Sequence, residues 1–306
     1  MHWVIDTDAG VDDAIGLVMP FVEGRYPNFK LLAITTVSGN VPLERVNVNV
    51  GAVLDLVDAS LPFFAGCARP MLQPLVHAAD FHGADGLGDA GLSHTQRKPE
   101  AMHAALALCR FAQEHRGDLG VITLGPLTNL ALACNLDPDL PQRVAQVVVM
   151  GGAWQGRGNQ TPAAEFNIAV DPESARVVFE RFPRITLLPW EVSLEQMMPF
   201  EMLEAIASAD TKRARFFAAM TRIAYTWRDR FGFRGVPLPD PLAVAVALDE
   251  RVIAEALHAR VRVDIGHDVG RGFTALDRRS ETPNTRVVTR VDAQRAWAMI
   301  AEAWSR

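Results

Sequence analysis

The stretch that decides the reading is "VIDTDAGVDDAIGL", residues 4–17. The apolar run "WVI" at 3–5 leads into it as a buried strand would, and a helix-like pattern follows Asp13. Between the two stand Asp6, Asp8, Asp12 and Asp13. Four carboxylates this close repel one another, more strongly in a low dielectric, so the junction calls for a positive charge among them.

Working outward, short β-branched runs recur: "LLAITTV" at 31–37, "LGVITL" at 119–124, "VAQVVVM" at 144–150 and "ITLLP" at 185–189. Continuous apolar strands alternating with helical patterns indicate the α/β class: an open, mainly parallel, Rossmann-like sheet with helices on both faces. In "DPESARVVFERF", Asp171 reads as an N-cap with Pro172 first in the helix and Glu173 in its first turn. The segment from Lys98 to Gly117 has helical period and a terminal Gly. The polar, Gly- and Asp-rich residues 77–94 read as a long loop, a common place for function. No linker, repeat or low-complexity tract divides residues 1–306, which read as one domain.

Ligands of open α/β sheets sit beyond the carboxyl ends of the strands. The acidic stretch follows the first strand, "SGN" (38–40) the second, "GPLTN" (125–129) the third and "GGAW" (151–154) the fourth. That convergence predicts one site at those ends.

Composition narrows the partner. With 306 residues, 49% apolar, and a net charge of −6, the chain has no general attraction for nucleic acid or an anionic membrane, so a small molecule is expected. Cys67, Cys109 and Cys134 show no C-x-x-C spacing, which suits a reducing cytoplasm and argues against a disulfide framework or zinc knuckle. No apolar run reaches about 18 residues, and the first residues lack a basic-then-apolar pattern, so a cytoplasmic, non-membrane location is expected.

Carboxylate oxygens without nearby Cys or paired His favour Ca²⁺ or Mg²⁺ over zinc. An EF-hand does not fit: counting from Asp6, Val11 stands where Gly belongs and Leu17 where the twelfth-position acid belongs. Some of these acids could simply cap the following helix, but a cap needs only one. Asp240, in "GVPLPDPLAVAVALDE", precedes Pro241 as an N-cap would and joins the site only if the fold carries it to the first strand end.

Taken together, these motifs resemble the inosine-uridine preferring nucleoside hydrolases. "DTDAGVDD" is similar to that family's N-terminal D-x-D-x-G-x-D-D. Further matches run in order through "TVSGN" at 36–40, "HGADGLG" at 82–88, "LGPLTNLA" at 124–131, "GNQTPAAEFNIAVDPESA" at 158–175 and the late Asp240, and "VDIGHDVGRGFTALDRR" looks like its C-terminal strand region. The resemblance implies one Ca²⁺ per subunit, held by Asp8, Asp13, Asp240 and the backbone carbonyl of Leu124. It implies a ribonucleoside substrate with Asp12 and Asn167 on the 2′ and 3′ hydroxyls, Asn159 and Glu165 toward the 5′ hydroxyl, and Asn40 near the metal-bound water. It also implies a homodimer or homotetramer. Cleaving an N-glycosidic bond passes through an oxocarbenium-like sugar and needs a water nucleophile on one face and help for the base on the other. Asp8 is the expected proton acceptor and Asp6 an outer support. Residues 165–167, "EFN", alternate as a strand would place two polar groups on one face.

Two departures stand out. Where some family members carry a His that protonates the base, this chain has Pro239. His82 is the expected replacement, with Arg234, Tyr225 and Trp227 as further candidates near the base. Trp190 and Glu191 replace a Leu-Asp-like pair, so the preferred base is not carried over. Two other functions start from the same residues: a haloacid-dehalogenase-like phosphatase using Asp6, Asp8 and Mg²⁺, and a calcium-dependent nucleoside-binding protein without turnover. The phosphatase fits poorly, because its D-x-D is usually followed closely by a hydroxylated residue, where this chain has "AGVDD".

Overall fold

The computed structural model describes residues 1–306. Nine strands form one sheet: β1 (His2–Thr7), β2 (Lys30–Thr36), β3 (Phe63–Ala65), β4 (Leu119–Thr123), β5 (Val144–Met150), β6 (Ile185–Leu188), β7 (Ile253–Val263), β8 (Thr274–Asp277) and β9 (Thr285–Val291). Their spatial order is β3-β2-β1-β4-β5-β6-β9-β7-β8. Pairing is parallel from β3 through β9, whereas β7 runs antiparallel to both β9 and β8. The mixed edge is therefore the C-terminal part of the chain.

Alternation along the strands divides the apolar side chains between two cores. Trp3, Ile5, Ile122, Val148 and Leu188 belong to the larger one, and Val4, Val121, Val147, Val149 and Leu187 to the other. Burial on both faces is why these strands read as unbroken apolar runs. On the larger side pack the helices Val11–Val18, Leu43–Leu56, Pro239–Leu248 and Ala293–Ser305. On the other side pack Ala104–Glu114, Thr128–Leu136 and Pro172–Arg181. Trp304, fully buried in the last helix, donates its indole N–H to the carbonyl of Ile15 at 3.1 Å and so braces the helix that carries Asp12 and Asp13.

Several sequence expectations find their physical reason here. Asp171 caps the helix Pro172–Arg181 by accepting from the Ser174 N–H at 3.1 Å. The helix expected over Lys98–Gly117 spans only Ala104–Glu114: His103 caps its start, and Glu100 instead pairs with Phe64 beside the edge strand. Residues 77–94 are mostly loop, yet they contain the turn Ala79–His82 and bury His82 and Leu87. No helix is long and apolar enough to cross a membrane.

Candidate active site

β1 delivers Asp6 and, just beyond its end, Asp8; the next turn delivers Asp12 and Asp13 on the first turn of the helix Val11–Val18. Ala9 in this turn has φ 43°, a left-handed conformation that costs a non-glycine residue free energy and persists only where its surroundings enforce it. They do: the Ala9 N–H donates to Thr7 Oγ1 (3.0 Å) and its carbonyl accepts from Asn49 (3.1 Å). Asp13 accepts from the Gly10 N–H (2.9 Å), from Asn40 Nδ2 (3.1 Å) and from the Thr7 hydroxyl. Capping is thus part of Asp13's role, but only of Asp13's.

Asp240 arrives from far along the chain because Pro239–Leu248 packs closely on Val11–Val18. A Cβ on Gly16 would lie 3.2 Å from Val244 Cγ2 and 3.5 Å from the Asp240 carbonyl carbon, so glycine allows the approach. The two helices present their N-terminal turns to one point, where positive dipole ends favour carboxylates. The N-cap position of the second helix belongs to Leu238, with Pro239 first and Asp240 second. The N-cap reading of Asp240 is therefore corrected: its carboxylate is turned into the cluster instead.

Oxygens of Asp12, Asp13 and Asp240 all lie within 4.8 Å of one another. Asp8 and Asp240 each lie within hydrogen-bonding reach of Asp13. All four are buried, and Asp8 Oδ1 and Asp12 Oδ1 have no hydrogen-bond partner. Burial first, and then the neighbouring carboxylates, push Asp8, Asp12 and Asp240 well above the ordinary carboxylate range. A set made only of hard oxygen donors, partly unpartnered and mutually repelling, fits a hard divalent cation. Asp8 is held in place from both sides: its Oδ2 accepts the Asn40 N–H at 2.8 Å, and a Cβ on Gly39 would lie 2.1 Å from that same oxygen.

Above the cluster opens a cavity of about 700 Å³ at the carboxyl ends of the strands. Asp12, Asn40, His82, Leu124, Asn159, Glu165, Asn167 and Asp240 all reach its wall, whereas Asp8 and Asp13 are fully buried and do not. Residues 165–167 are not a strand: Glu165 caps the short helix Phe166–Val170, accepting from the N–H groups of Asn167, Ile168 and Gly152. A helical turn still brings Glu165 and Asn167 to one cavity. Burial raises Glu165 to about 7. Asn167 donates to the Leu124 carbonyl at 2.7 Å, and Asn159 accepts from the Phe166 N–H at 2.8 Å.

His82 Nδ1 accepts the Val11 N–H at 3.1 Å, which leaves the proton on Nε2, and it lies 3.7 Å from Asp12. Burial lowers its pKa to about 4. The ring is thus a neutral hydrogen-bond donor near neutral pH, a much weaker acid than an imidazolium. Pro239 lines the cavity with no titratable group.

Asp6 stands apart. It accepts from Thr35 at 2.5 Å and Asn129 at 2.8 Å, is fully buried, does not reach the cavity and is raised by burial to about 7. With its Oδ1 taken up by Thr35 and Asn129 inside the fold, Asp6 lends no support to the phosphatase alternative, in which it would attack substrate. Of the residues considered for the base, Trp190 lines the cavity, but Trp227 is buried against Phe81 and Tyr225 stacks on Phe200 and donates to Glu204. Arg234 is exposed and off the wall. In their place the structure brings Phe81, Phe231, Phe233, Asp80 and Arg230 to the mouth.

The chain matches the model of the family described as "Inosine-uridine preferring nucleoside hydrolase" over residues 3–298. It is 30% identical over 310 residues to the protein of that name from Crithidia fasciculata, covering 99% of this chain and 97% of that one. It is 32% identical to the pyrimidine-specific ribonucleoside hydrolase RihA of Enterobacter sp. (strain 638), covering 98% and 96%. Among solved structures, a plant nucleoside hydrolase, PpNRh1, superimposes with a TM-score of 0.92 at 28% identity, covering 99% of this chain and 98% of that one.

Proposed function

Because the chain belongs to the inosine-uridine preferring nucleoside hydrolase family, we propose that its cavity hydrolyses the N-glycosidic bond of ribonucleosides to free base and ribose. The observation that carries this reading is the buried carboxylate cluster at the base of a nucleoside-sized cavity whose wall also carries Asn40, Asn159, Glu165 and Asn167.

Asp8, Asp13, Asp240 and the Leu124 carbonyl would hold a divalent cation, Ca²⁺ in our reading. When bound, it would lower the pKa of a water and orient it. Asp8, with its unpartnered Oδ1, accepts the proton of the attacking water. The water oxygen bonds to the anomeric carbon, and the electron pair of the C–N bond leaves with the base. Asp12 and Asn167 bind the 2′ and 3′ hydroxyls, Asn159 and Glu165 face the 5′ hydroxyl, and Asn40 fixes Asp8 and Asp13 through the two bonds described. His82 supports the base as a neutral Nε2–H donor. Groups placed to pair with sugar hydroxyls reject sugars that lack one, because the buried partners are then left unpaired.

The test is a panel of purine and pyrimidine nucleosides with reducing-sugar detection, with and without chelator. Equimolar free base and ribose, lost on chelation, is the expected result. Saturable binding without ribose release would sink the proposal.

A further inference from the structure

Pro239 supplies no acid at its place on the wall, and His82, whose Nδ1 already accepts the Val11 N–H, offers the base one Nε2–H donor, so any further stabilisation of the leaving group comes from elsewhere on the wall. We propose that the Asp80–Arg230 pair at the cavity mouth reads the base, that it selects 6-oxopurine ribonucleosides, and that Arg230 stabilises their base as it leaves; this rests on the hydrolase reading above.

Arg230 is the one arginine or lysine on the cavity wall. Its Nη2 lies 3.2 Å from Asp80 Oδ2, and the two side chains are 57% and 84% exposed, so most of their donors and acceptors face solvent. The two segments that carry the pair are nonetheless tied together. Asp80 sits on the turn Ala79–His82, whose Phe81 stacks on Trp227 (centroids 3.9 Å apart, planes at 9°) and accepts its indole N–H at 2.9 Å. Arg230 follows Trp227 by three residues on the helix Ala224–Phe231, and its guanidinium lies 5.3 Å from the Phe231 ring centroid. Phe81, Phe231 and Phe233 give the mouth flat apolar surfaces suited to a heteroaromatic ring.

The polarity of the pair then chooses the ring. A 6-oxopurine presents two acceptors, N7 and O6, followed by the N1–H donor. A guanidinium fork matches N7 and O6, and a carboxylate beside it accepts N1–H. Adenine keeps the N7 acceptor but turns an amino group toward the guanidinium in place of O6 and a lone pair toward the carboxylate in place of N1–H, and pyrimidines have no N7. The family relatives named for inosine-uridine and for pyrimidines match this chain equally well, so the fold alone does not choose the base.

In the reaction the water oxygen bonds to C1′, the C1′–N9 bond breaks, and its electron pair spreads over the purine to N7 and O6, where Arg230 donates. The water's proton goes to a cluster carboxylate, and the base takes a proton from solvent after release. Arg230 keeps its own protons throughout and contributes charge and hydrogen bonds.

The experiment compares kcat/KM for inosine, guanosine, adenosine, uridine and 4-nitrophenyl riboside, whose leaving group needs no such help. Wild type should favour inosine and guanosine over adenosine and uridine by at least about 10-fold. Arg230→Gln should lower the inosine to nitrophenyl riboside ratio by about 10- to 100-fold, the span expected for a bidentate arginine–purine contact. Arg230→Lys should fall between, Asp80→Asn should narrow the preference for inosine over adenosine, and Arg228→Gln on the same helix should leave the wild-type ratios. A wild type preferring adenosine or uridine, or ratios in Arg230→Gln within about twofold of wild type, overturns this proposal alone. If neither the nucleosides nor the riboside yield ribose, the hydrolase reading falls and takes this one with it.

Discussion

Replacing Asp240 by Asn should move stability in opposite directions depending on whether a cation is present. In the metal-free protein, the neighbours of Asp240 are the carboxylates of Asp12 and Asp13, within 4.8 Å. Two ionised carboxylates at that separation repel by about 3 kcal/mol at an effective dielectric near 20. The groups escape part of this by holding protons, at about 1.4 kcal/mol for each unit of raised pKa. Removing the Asp240 charge therefore stabilises the chelated protein by a few kcal/mol or less. In the presence of a cation at a hundred times its Kd, wild type gains about 2.7 kcal/mol. With an unfolding entropy of about 2.1 cal/mol/K per residue over 306 residues, that gain is about 4 °C in Tm. Calorimetry of both proteins with Ca²⁺ or chelator at pH 7.5 reads all four values. The expected result is a Ca²⁺ shift in wild type that vanishes in Asp240→Asn, and a chelated variant that melts no lower than chelated wild type. A chelated variant several degrees less stable, or one still shifted by Ca²⁺ as wild type is, would refute the reasoning.

Three further outcomes follow from the same geometry. Glu165 has a folded pKa of about 7 against an ordinary value near 4.5, so it contributes a loss of stability of about 3 kcal/mol at most as pH rises through that window; Glu165→Gln should make the fall between pH 4 and 8 shallower by that share while the share of Asp6, also raised to about 7, remains, which denaturant melts at pH 4, 6 and 8 would reveal. Gly39→Ala places a carbon 2.1 Å from Asp8 Oδ2, and displacing that carboxylate should cost turnover about 100-fold and abolish the Ca²⁺ shift in Tm, as steady-state rates and calorimetry would show. Asn167→Ala should lower kcat/KM for ribonucleosides about 100-fold while narrowing their advantage over 2′-deoxyribonucleosides, measured by base release from matched pairs.

What the sequence disclosed depended on whether a residue's surroundings were local. Strands β1, β2, β4, β5 and β6 are legible because both their faces are buried and their apolar runs unbroken. β7, exposed from Ala254 through Ala256 and again at His258, carries no such run, and β3 has three residues. The acidic turn is legible because its four carboxylates lie in one short stretch. Asp240 is ambiguous in the sequence because helix capping and cluster membership ask for the same residue type in front of the same apolar helix. Only the packing at Gly16 decides between them. The "EFN" alternation suggested a strand because three residues are too few to separate a period of 2 from a cap followed by a helical turn. The mouth was the least legible part. Phe231, Arg230 and Asp80 are exposed, and their pattern is that of an ordinary solvated helix and loop. They meet only because the Phe81–Trp227 stack joins two segments 146 residues apart.

The brace from Trp304 to the Ile15 carbonyl spans 289 residues of sequence. At a synthesis rate of about 5–20 residues per second, roughly 15–60 s separate the emergence of the first acidic turn from that of its last support. Asp240 follows Ile15 by 225 residues, so for most of that interval Asp8, Asp12 and Asp13 stand on a chain that lacks the carboxylate completing their cluster. The helix carrying Asp12 and Asp13 is thus made 289 residues ahead of the indole that braces it, so this brace cannot form until long after the acidic turn has been synthesised.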